Sequence, residues 1–270
     1  ISACLVGSEM CIRDSHCEAC AADLEQYCLQ GPTMTYATPD RVDGSNTMGG
    51  YSDSIVVSEH FVVRIPEKLD LASAAPILCA GITTYSPLKH YGVKPGDKVG
   101  ILGMGGLGHM GIKFAKALGA EVTLFTRSAS KAEEARRQGA DHVIVSTDAA
   151  QMQSVAGHFD FLLDTIPVPH DLNPYLDTLR FDGVHILVGL IEPVDPALHA
   201  GKLVMSRRVL AGSLIGGIAE TQEVLDFCAE HGITCDIEML DIRQINQAYE
   251  RMIKGDVKYR FVIDMATLKG

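Results

Sequence analysis

The chain has 270 residues, 47% of them hydrophobic and 21% charged, and a formal net charge of −11 at pH 7. This length allows one large or two ordinary domains, and the composition is that of a globular protein with a substantial core. The acidic balance argues against a nucleic acid or an anionic membrane as a partner. We find neither a run of about 18 apolar residues nor a secretory leader pattern, so we expect a cytoplasmic protein.

Residues 1–15 fit the rest of the sequence poorly. They lack an initiator methionine and any clear hydrophobic period. Residues 4–15 resemble translated sequencing-adapter read-through, so we expect a non-native segment in front of a protein whose native N-terminal part is missing. A disordered but native tail is the alternative.

The next stretch carries three closely spaced cysteines, in the pattern C-x2-C-x7-C, at Cys17, Cys20 and Cys28. Thiolates at this spacing can surround one tetrahedral Zn²⁺. Close clustering favours a metal site over a disulfide framework. A closed site needs a fourth ligand, and the nearby candidates are Asp14 and Cys11.

Between the cysteines and residue 97 the sequence predicts short strands and one apolar helical stretch. A loop over 31–50, rich in Thr, Asp, Gly and Pro, leads to a strand that opens in Gly49–Val57 and a second strand over Phe61–Ile65. Residues 71–85 then show helical spacing, and Pro87 falls inside or just after the helix.

From residue 99 onward, predicted strands and helices alternate. The predicted strands cover 99–102, 122–126, 142–145, 159–164, 184–189 and 209–214, and the helices cover 109–118, 131–138, 152–156, 172–179 and 219–231. Such alternation predicts right-handed βαβ units and a doubly wound parallel sheet in an α/β fold. A strand, a helix and a strand at 236–240, 242–253 and 259–264 close the chain.

The first of these strands runs into a glycine-rich turn that contains Gly103, Gly105, Gly106, Leu107 and Gly108. A strand, a Gly-x-Gly-x-x-Gly-type turn and a helix form the context of a dinucleotide site. The first glycine permits a tight turn, the second lets the backbone approach a pyrophosphate, and the last lets the helix pack on the strand. The helix N–H groups then point at the phosphates. A glycine-rich turn without a ligand is the alternative.

The end of the second strand indicates which dinucleotide binds. It reads Thr126, Arg127 and Ser128, with Lys131 shortly after, and it carries no acidic residue for the ribose hydroxyls. An arginine fork, a hydroxyl and a lysine suit a 2′-phosphate, so the sequence predicts NADP(H) over NAD(H). The alternative is that Arg127 is a solvated surface charge.

Over residues 16–268 the chain resembles the zinc-containing medium-chain alcohol dehydrogenases, in their cinnamyl alcohol dehydrogenase-like branch. The resemblance rests on the runs His16–Cys28, Gly49–Val57, Ala75–Tyr85, Val99–Gly111, Leu210–Gly217 and Tyr259–Asp264. It implies a Rossmann doubly wound domain beside a GroES-like β-rich catalytic domain. We expect a remnant of the catalytic domain over 16–75, the Rossmann domain over 76–234, and a return to the catalytic domain over 235–270.

The resemblance also implies an activity, reversible hydride transfer between a small primary alcohol or its aldehyde and NADP(H). It implies both a structural and a catalytic Zn²⁺, and it implies a homodimer. It makes Cys17, Cys20 and Cys28 structural-zinc ligands, with Asp14 in the place of the first thiolate. Cys79 matches the last catalytic zinc ligand, and Thr83 on the same helix faces the nicotinamide. The other expected cofactor contacts are Thr165, Val188, Gly189, Leu190, Ser213, Gly216, Gly217 and Arg260.

The family's first catalytic cysteine and its Gly-His-Glu ligand segment would precede residue 16, and neither is present. We therefore expect the chain as printed to be inactive while its dinucleotide site stays intact. Two alternatives remain at this point. One is a zinc-free quinone or enoyl reductase of the same superfamily, against which the cysteine cluster and Cys79 argue. The other is a non-catalytic dinucleotide-binding fragment.

Overall fold

The computed structural model describes residues 4–6, 11–13, 16–41, 43–51, 55, 57–190 and 192–269. The chain divides into two compact units: a first unit of Ile1–Ile82 with Ile215–Gly270, and a second unit of Thr83–Leu214. The sequence-based boundaries at 75/76 and 234/235 stay a prediction. The predicted boundaries differ from this division mainly in the helix Ile218–His231, which lies in the first unit. The side chain of Glu25, in the same unit, binds the first turn of this helix.

The second unit is built on one parallel sheet of six strands: β1 (Lys98–Leu102), β2 (Glu121–Thr126), β3 (His142–Val145), β4 (Phe159–Asp164), β5 (Leu179–Leu187) and β6 (Val209–Gly212). Their spatial order is β6-β5-β4-β1-β2-β3. The sequence order reverses between β1 and β4, which is the position where doubly wound sheets open a ligand crevice at their carboxyl ends. The expected α/β fold with a parallel sheet is confirmed.

Most side chains of this sheet are apolar, because helices pack over the strands. The helices of this unit, besides Ala80–His90, are Gly108–Ala117, Ala132–Arg137, Ala149–Ser154, Asn173–Thr178 and Gly201–Val204. Phe125 and Phe159 pack edge to face beneath them, with ring centroids 5.3 Å apart. The surrounding core consists of Leu102, Leu162, Leu176 and Leu179.

The first unit consists of shorter elements. Its described strands are 4–6 paired with Val62–Arg64, 11–13 paired with Thr33–Met34, the hairpin Tyr36–Pro39 and Asn46–Met48, and the parallel pair Ile237–Asp241 and Arg260–Asp264. Its helices are Glu18–Ala21, Leu71–Ala74, Ile218–His231 and Ile245–Ile253, with 3₁₀ turns at Glu25–Tyr27, Glu59–Phe61, Ala75–Leu78, Ile242–Gln244 and Met265–Lys269.

Several elements differ from their predicted bounds. The hairpin Tyr36–Pro39 and Asn46–Met48 occupies the predicted loop 31–50, because residues typical of turns here pair across a short ladder. The expected strand in Gly49–Val57 lies partly outside the described residues. Pro87 falls inside the helix Ala80–His90. Two short strands lie within 1–15, and the non-native origin of that segment stays a prediction.

No single helix in the described part of the chain is long and apolar enough to cross a membrane. A bent pair, Leu71–Leu78 with Ala80–His90, meets that test by length and composition only.

Candidate functional site

The turn after β1 has a shape that only glycine permits. Gly103 has a φ of +84°, in the left-handed region where a Cβ is strained. A Cβ on Gly108 would overlap the carbonyl oxygen of Gly103 and lie 2.9 Å from its carbonyl carbon. Gly105 is exposed, and a Cβ there would meet no described atom within 4 Å. The turn is therefore packed on its inner side and open at Gly105, where a ligand can approach the backbone.

The helix Gly108–Ala117 starts directly behind this turn. Leu107 is its N-cap residue, and no side chain among the described residues caps its first N–H groups. Gly106 and Leu107 are half-buried links between the turn and the helix. The Lys131 ammonium donates to the Met104 carbonyl in the turn at 3.4 Å. Uncapped helix N–H groups beside a cation form an attractive site for a phosphate.

At the end of β2, four exposed polar side chains follow the buried Thr126: Arg127, Ser128, Ser130 and Lys131. The Thr126 hydroxyl accepts the N–H of Ser128 at 3.3 Å, and the Ser128 hydroxyl accepts the N–H of Ser130 at 3.3 Å. Two cations and a hydroxyl in one short turn suit a phosphate dianion. The turn has no carboxylate to accept hydrogen bonds from a ribose diol.

The residues after β4 and β5 pack on the end of β1. The Thr165 hydroxyl donates to the Leu102 carbonyl at 2.7 Å. Gly189 approaches Thr165 so closely that a Cβ on Gly189 would lie 2.6 Å from the Thr165 carbonyl carbon. The N–H of Val188 donates to the Asp164 carbonyl at 3.0 Å. These backbone contacts fix the far wall of the crevice between β1 and β4.

Two further predicted contacts lie at the same edge of the sheet. Leu190 is buried just beyond β5, and the N–H of Ser213 after β6 donates to the Leu187 carbonyl at 3.0 Å. The candidate residues between Gly103 and Ser213 thus gather at the carboxyl ends of β1, β2, β4, β5 and β6, where an open parallel sheet binds its ligands.

A polar cluster that sequence patterns did not predict is buried at the end of β4. The Asp164 carboxylate is fully buried and accepts hydrogen bonds from His170 Nε2 and His185 Nε2, both at 2.9 Å. Burial alone would raise the pKa of Asp164, but the two histidines outweigh it and hold that pKa below its usual value. Burial acts to lower the pKa of His170, and the Asp164 carboxylate outweighs it and raises that pKa.

In the first unit, the three clustered cysteines converge. The Sγ atoms of Cys17, Cys20 and Cys28 all lie within 4.8 Å of one another, and those of Cys17 and Cys20 are 3.5 Å apart. Thiolates about 2.3 Å from a tetrahedral Zn²⁺ are separated by about 3.8 Å, so the cluster fits that ion. Asp14 lies outside the described residues.

Two hydrogen-bond donors point at this cluster. The N–H of Leu29 lies 3.4 Å from Cys17 Sγ, and Arg41 Nη2 lies 3.4 Å from Cys28 Sγ. Donors of this kind stabilise negative charge on sulfur, and they orient ligands around a metal. Sequence spacing found the three thiols but missed Arg41, which follows Cys28 by 13 residues.

A buried carboxylate links the cysteine loop to the helix Ile218–His231. Glu25 is fully buried, accepts the N–H of Ile218 at 3.1 Å and lies 2.7 Å from His60 Nε2. A Cβ on Gly217 would overlap the Asp23 carbonyl oxygen. The carboxylate therefore binds the positive N-terminal end of this helix.

The predicted contacts Gly216 and Gly217 are buried, so close packing explains why they are glycines. A Cβ on Gly216 would lie 2.6 Å from Ile82. Arg260 begins the last strand, and its Nε is buried with no hydrogen-bond partner among the described residues. The roles of Gly216, Gly217 and Arg260 at a cofactor stay a prediction.

Cys79 lies between the 3₁₀ turn Ala75–Leu78 and the helix Ala80–His90, and it is half-buried. Among the described residues, it is not a member of any group of three candidate metal ligands. Thr83 follows four residues later in the helix and is buried. Their catalytic roles stay a prediction.

Comparisons with known proteins agree with this geometry. The family described as zinc-binding dehydrogenase matches residues 106–230. The aldehyde reductase YahK of Escherichia coli is 53% identical over 261 residues, which cover 96% of this chain and 74% of the relative. The chain belongs to the zinc-binding alcohol dehydrogenases. The expected family is confirmed.

Solved structures place it in the cinnamyl alcohol dehydrogenase-like branch of this family. A cinnamyl alcohol dehydrogenase from Sorghum bicolor superposes with a TM-score of 0.90 at 43% identity, covering 96% of this chain and 73% of the other. A cinnamyl alcohol dehydrogenase from Helicobacter pylori, complexed with NADP(H), gives 0.87 at 40% identity and covers 95% and 74%.

The described residues fit two groups that this alcohol dehydrogenase family binds, NADP(H) and a structural zinc. The open backbone at Gly105 and the uncapped helix behind it suit a dinucleotide pyrophosphate, and Arg127 with Lys131 suits a 2′-phosphate. The three convergent thiols suit a structural zinc. Each unit therefore carries residues that suit one of the family's bound groups: the dinucleotide in the second unit and the structural zinc in the first.

Proposed function

We propose that this protein functions as an NADP(H)-dependent alcohol dehydrogenase and aldehyde reductase of the cinnamyl alcohol dehydrogenase kind, with a dinucleotide site in its second unit and a structural-zinc cluster in its first. The reaction is reversible hydride transfer between a primary alcohol and NADP⁺. The observation that carries the proposal is the crevice between β1 and β4, with its glycine turn open at Gly105 and two cations, Arg127 and Lys131, beside it.

The residues of the second unit bind and orient the dinucleotide. When bound, that dinucleotide carries the hydride, and zinc polarises the substrate oxygen. The N–H groups at the start of Gly108–Ala117 bind the pyrophosphate at Gly105. Arg127, with Ser128 and Lys131, binds the 2′-phosphate. The proposed contacts nearer the nicotinamide are Thr83, Thr165, Val188, Gly189, Leu190, Ser213, Gly216, Gly217 and Arg260.

The residues of the first unit hold the metal. Cys17, Cys20 and Cys28 are the proposed structural-zinc ligands, and Asp14 is the candidate for the fourth position. Their convergence argues against the zinc-free quinone or enoyl reductase alternative. Cys79 is the proposed catalytic zinc ligand, which rests on its match to the family pattern.

We also propose that two copies pair through β6. Within the described residues, β6 is the last strand of the sheet and is paired on one side only, with β5. The apolar side chains of Val209 and Leu214 are exposed at this edge, as are those of Val204 and Met205 nearby. An unprotected apolar edge strand is suited to pairing with another copy. Light scattering that gives the mass of one chain would contradict a dimer.

The test is an NADPH fluorescence titration of the whole chain, followed by an assay of NADPH oxidation with cinnamaldehyde and added zinc. Binding with aldehyde-dependent oxidation supports the dehydrogenase and would overturn the expected inactivity of the chain as printed. Binding without oxidation supports the non-catalytic dinucleotide-binding fragment. Failure to bind any dinucleotide contradicts both.

A further inference from the structure

The side chain of Asp164, the last residue of β4, holds the loop that follows this strand closed. Asp164 Oδ1 accepts the N–H of Ile166 at 3.1 Å, and Asp164 Oδ2 accepts from His170 Nε2 at 2.9 Å. One buried carboxylate therefore binds both the start and the end of the loop 165–170. The loop contains Pro167 and Pro169, which have no N–H to donate, so backbone hydrogen bonds contribute little to its shape.

The protonation state of His170 follows from its partners. Its Nδ1 faces the Val168 carbonyl at 2.8 Å, and its Nε2 faces the Asp164 carboxylate. A carbonyl can only accept, and an ionised carboxylate can only accept, so both ring nitrogens carry hydrogen and the ring is an imidazolium. His185, fully buried on β5, donates to the same carboxylate oxygen at 2.9 Å. The raised pKa of His170 and the lowered pKa of Asp164 agree with an ion pair.

The loop lies against the glycine turn. A Cβ built on Gly103 would lie 3.4 Å from Ile166 Cγ1 and 3.4 Å from Thr165 Oγ1. Thr165 is anchored by its hydroxyl to the end of β1, while residues 167–169, beyond the carboxyl end of β4, are exposed. Any shift of the loop therefore changes the width of the crevice beside the turn that the proposed dinucleotide occupies.

The cluster continues toward the end of β2. The ring of Tyr175 packs edge to face with His170, at 6.1 Å between centroids, and with Phe125 of β2, at 5.6 Å. Phe125 directly precedes Thr126, the last residue of that strand. A continuous path of packed and bonded groups thus joins Asp164 to the strand end that carries Arg127.

We infer that His170 is a positioning residue for the dinucleotide: held as an imidazolium by Asp164, it clasps the loop 165–170 against the glycine turn and raises dinucleotide affinity without touching the reacting atoms. The inference rests on the proposed function, because it needs a dinucleotide in this crevice. The loop borders the glycine turn, which NADPH and NADH would share. The interaction of His170 with Asp164 therefore raises the affinity for both cofactors equally. Arg127, Ser128 and Lys131 at the end of β2 distinguish the two cofactors.

Three variants of the whole chain test this. His170→Phe keeps the ring but removes both donors, His170→Gln keeps a neutral donor for Asp164, and His142→Gln alters a solvent-exposed histidine 3.2 Å from Glu121 at the opposite end of the sheet. Fluorescence titration should show NADPH and NADH affinity falling by about tenfold together in His170→Phe, partial recovery in His170→Gln and no change in His142→Gln.

The pH profile separates positioning from a merely structural role. The charged and titratable groups that face His170 are Asp164, His185 through that carboxylate, Asp171 and Tyr175. Wild-type NADPH affinity should fall as the pH rises through the raised pKa of His170, and the profile of His170→Gln should lack that step. Comparison of the two profiles cancels titration of the 2′-phosphate.

Unchanged affinity in His170→Phe, or the same pH step in His170→Gln as in wild type, would overturn the inference. If His170→Phe does not fold, His170→Gln and the paired profiles still decide. Wild-type protein that binds no dinucleotide would instead overturn the proposed function itself.

Discussion

The dinucleotide crevice of the second unit and the cysteine cluster of the first unit are built in different ways. The crevice is made of backbone: Gly108 and Gly189 approach neighbouring main chain so closely that a Cβ would not fit, and Gly103 has a φ of +84°. A six-stranded sheet fixes their positions. The cysteine cluster is made of side chains on a short helix and a 3₁₀ turn, with Sγ atoms brought within 4.8 Å of one another.

The difference predicts how each site fails. A backbone-built site is preorganised without its ligand and is lost when one added methyl group displaces the main chain. A thiolate cluster brings like charges together, so it depends on its metal, and metal binding contributes directly to folding. We therefore expect the crevice to be sensitive to Cβ atoms and the cluster to be sensitive to chelators.

The largest effect should come from Gly108→Ala. The added Cβ overlaps the Gly103 carbonyl oxygen, so the turn must open, and we expect NADPH affinity to fall by more than about 100-fold. We expect the free energy of unfolding to fall by about 2–4 kcal/mol. Titration and urea unfolding measure the two effects.

Gly105→Ala is the matched control for steric change at this turn. Its Cβ meets no described atom, so stability should stay within about 0.5 kcal/mol of wild type while the methyl group obstructs the proposed pyrophosphate. Equal destabilisation by both variants would contradict the account of the turn.

The next effect concerns the cysteine cluster. Cys28→Ser should lower bound zinc from about one ion per chain to well below that, because three close thiols become two. The melting temperature should fall, and NADPH affinity should change by less than about twofold. Cys228→Ser is the control, since Cys228 is a buried cysteine outside the cluster. Zinc loss in both variants would argue against the assigned ligands.

A smaller effect is expected from Arg127→Ala. Loss of a charge-assisted fork should weaken NADPH binding by about tenfold and leave NADH binding unchanged. Arg137→Ala removes an exposed arginine that pairs with Glu133 on the same unit and serves as the control. An unchanged ratio of NADPH to NADH affinity in Arg127→Ala would show that Arg127 is a solvated charge.

The smallest effect is on stability as a function of pH. The pKa of His170 is raised above its unfolded value of about 6.5, so its contribution is complete below that pH and is lost as the pH rises through the folded pKa. The pKa of Asp164 is lowered, so its contribution is present above about pH 4 and is lost as the pH falls through the folded pKa. Melting temperatures of wild type should therefore plateau between these values. His170→Gln should lack the decrease on the alkaline side.

Local patterns in the sequence were enough to predict the sheet and the glycine turn. The strands β3 and β4 have the bounds predicted from their apolar runs, and Gly103 to Gly108 could be read from spacing alone. The strand β5 begins at Leu179 rather than at Val184, because the sequence Arg180 to Gly183 resembles a turn while the backbone there continues the ladder with an irregular register.

Contacts between distant residues could not be read from the sequence. Asp164 and His185 are 21 residues apart and come together because β4 and β5 are neighbours in the sheet. His170 reaches the same carboxylate because the loop after β4 turns back on it. Glu25 and Ile218 are 193 residues apart, so nothing in either local pattern signals that a buried carboxylate binds a helix terminus.

The most direct test of the central claim is a parallel titration of the whole chain with NADPH and NADH, followed by nicotinamide fluorescence. We expect saturable binding of both, with NADPH tighter by about tenfold or more because Arg127 and Lys131 lie at the end of β2. Equal affinity for the two would contradict the assignment of this strand end to a 2′-phosphate. Failure to bind either would contradict the claim that the glycine turn is a dinucleotide site.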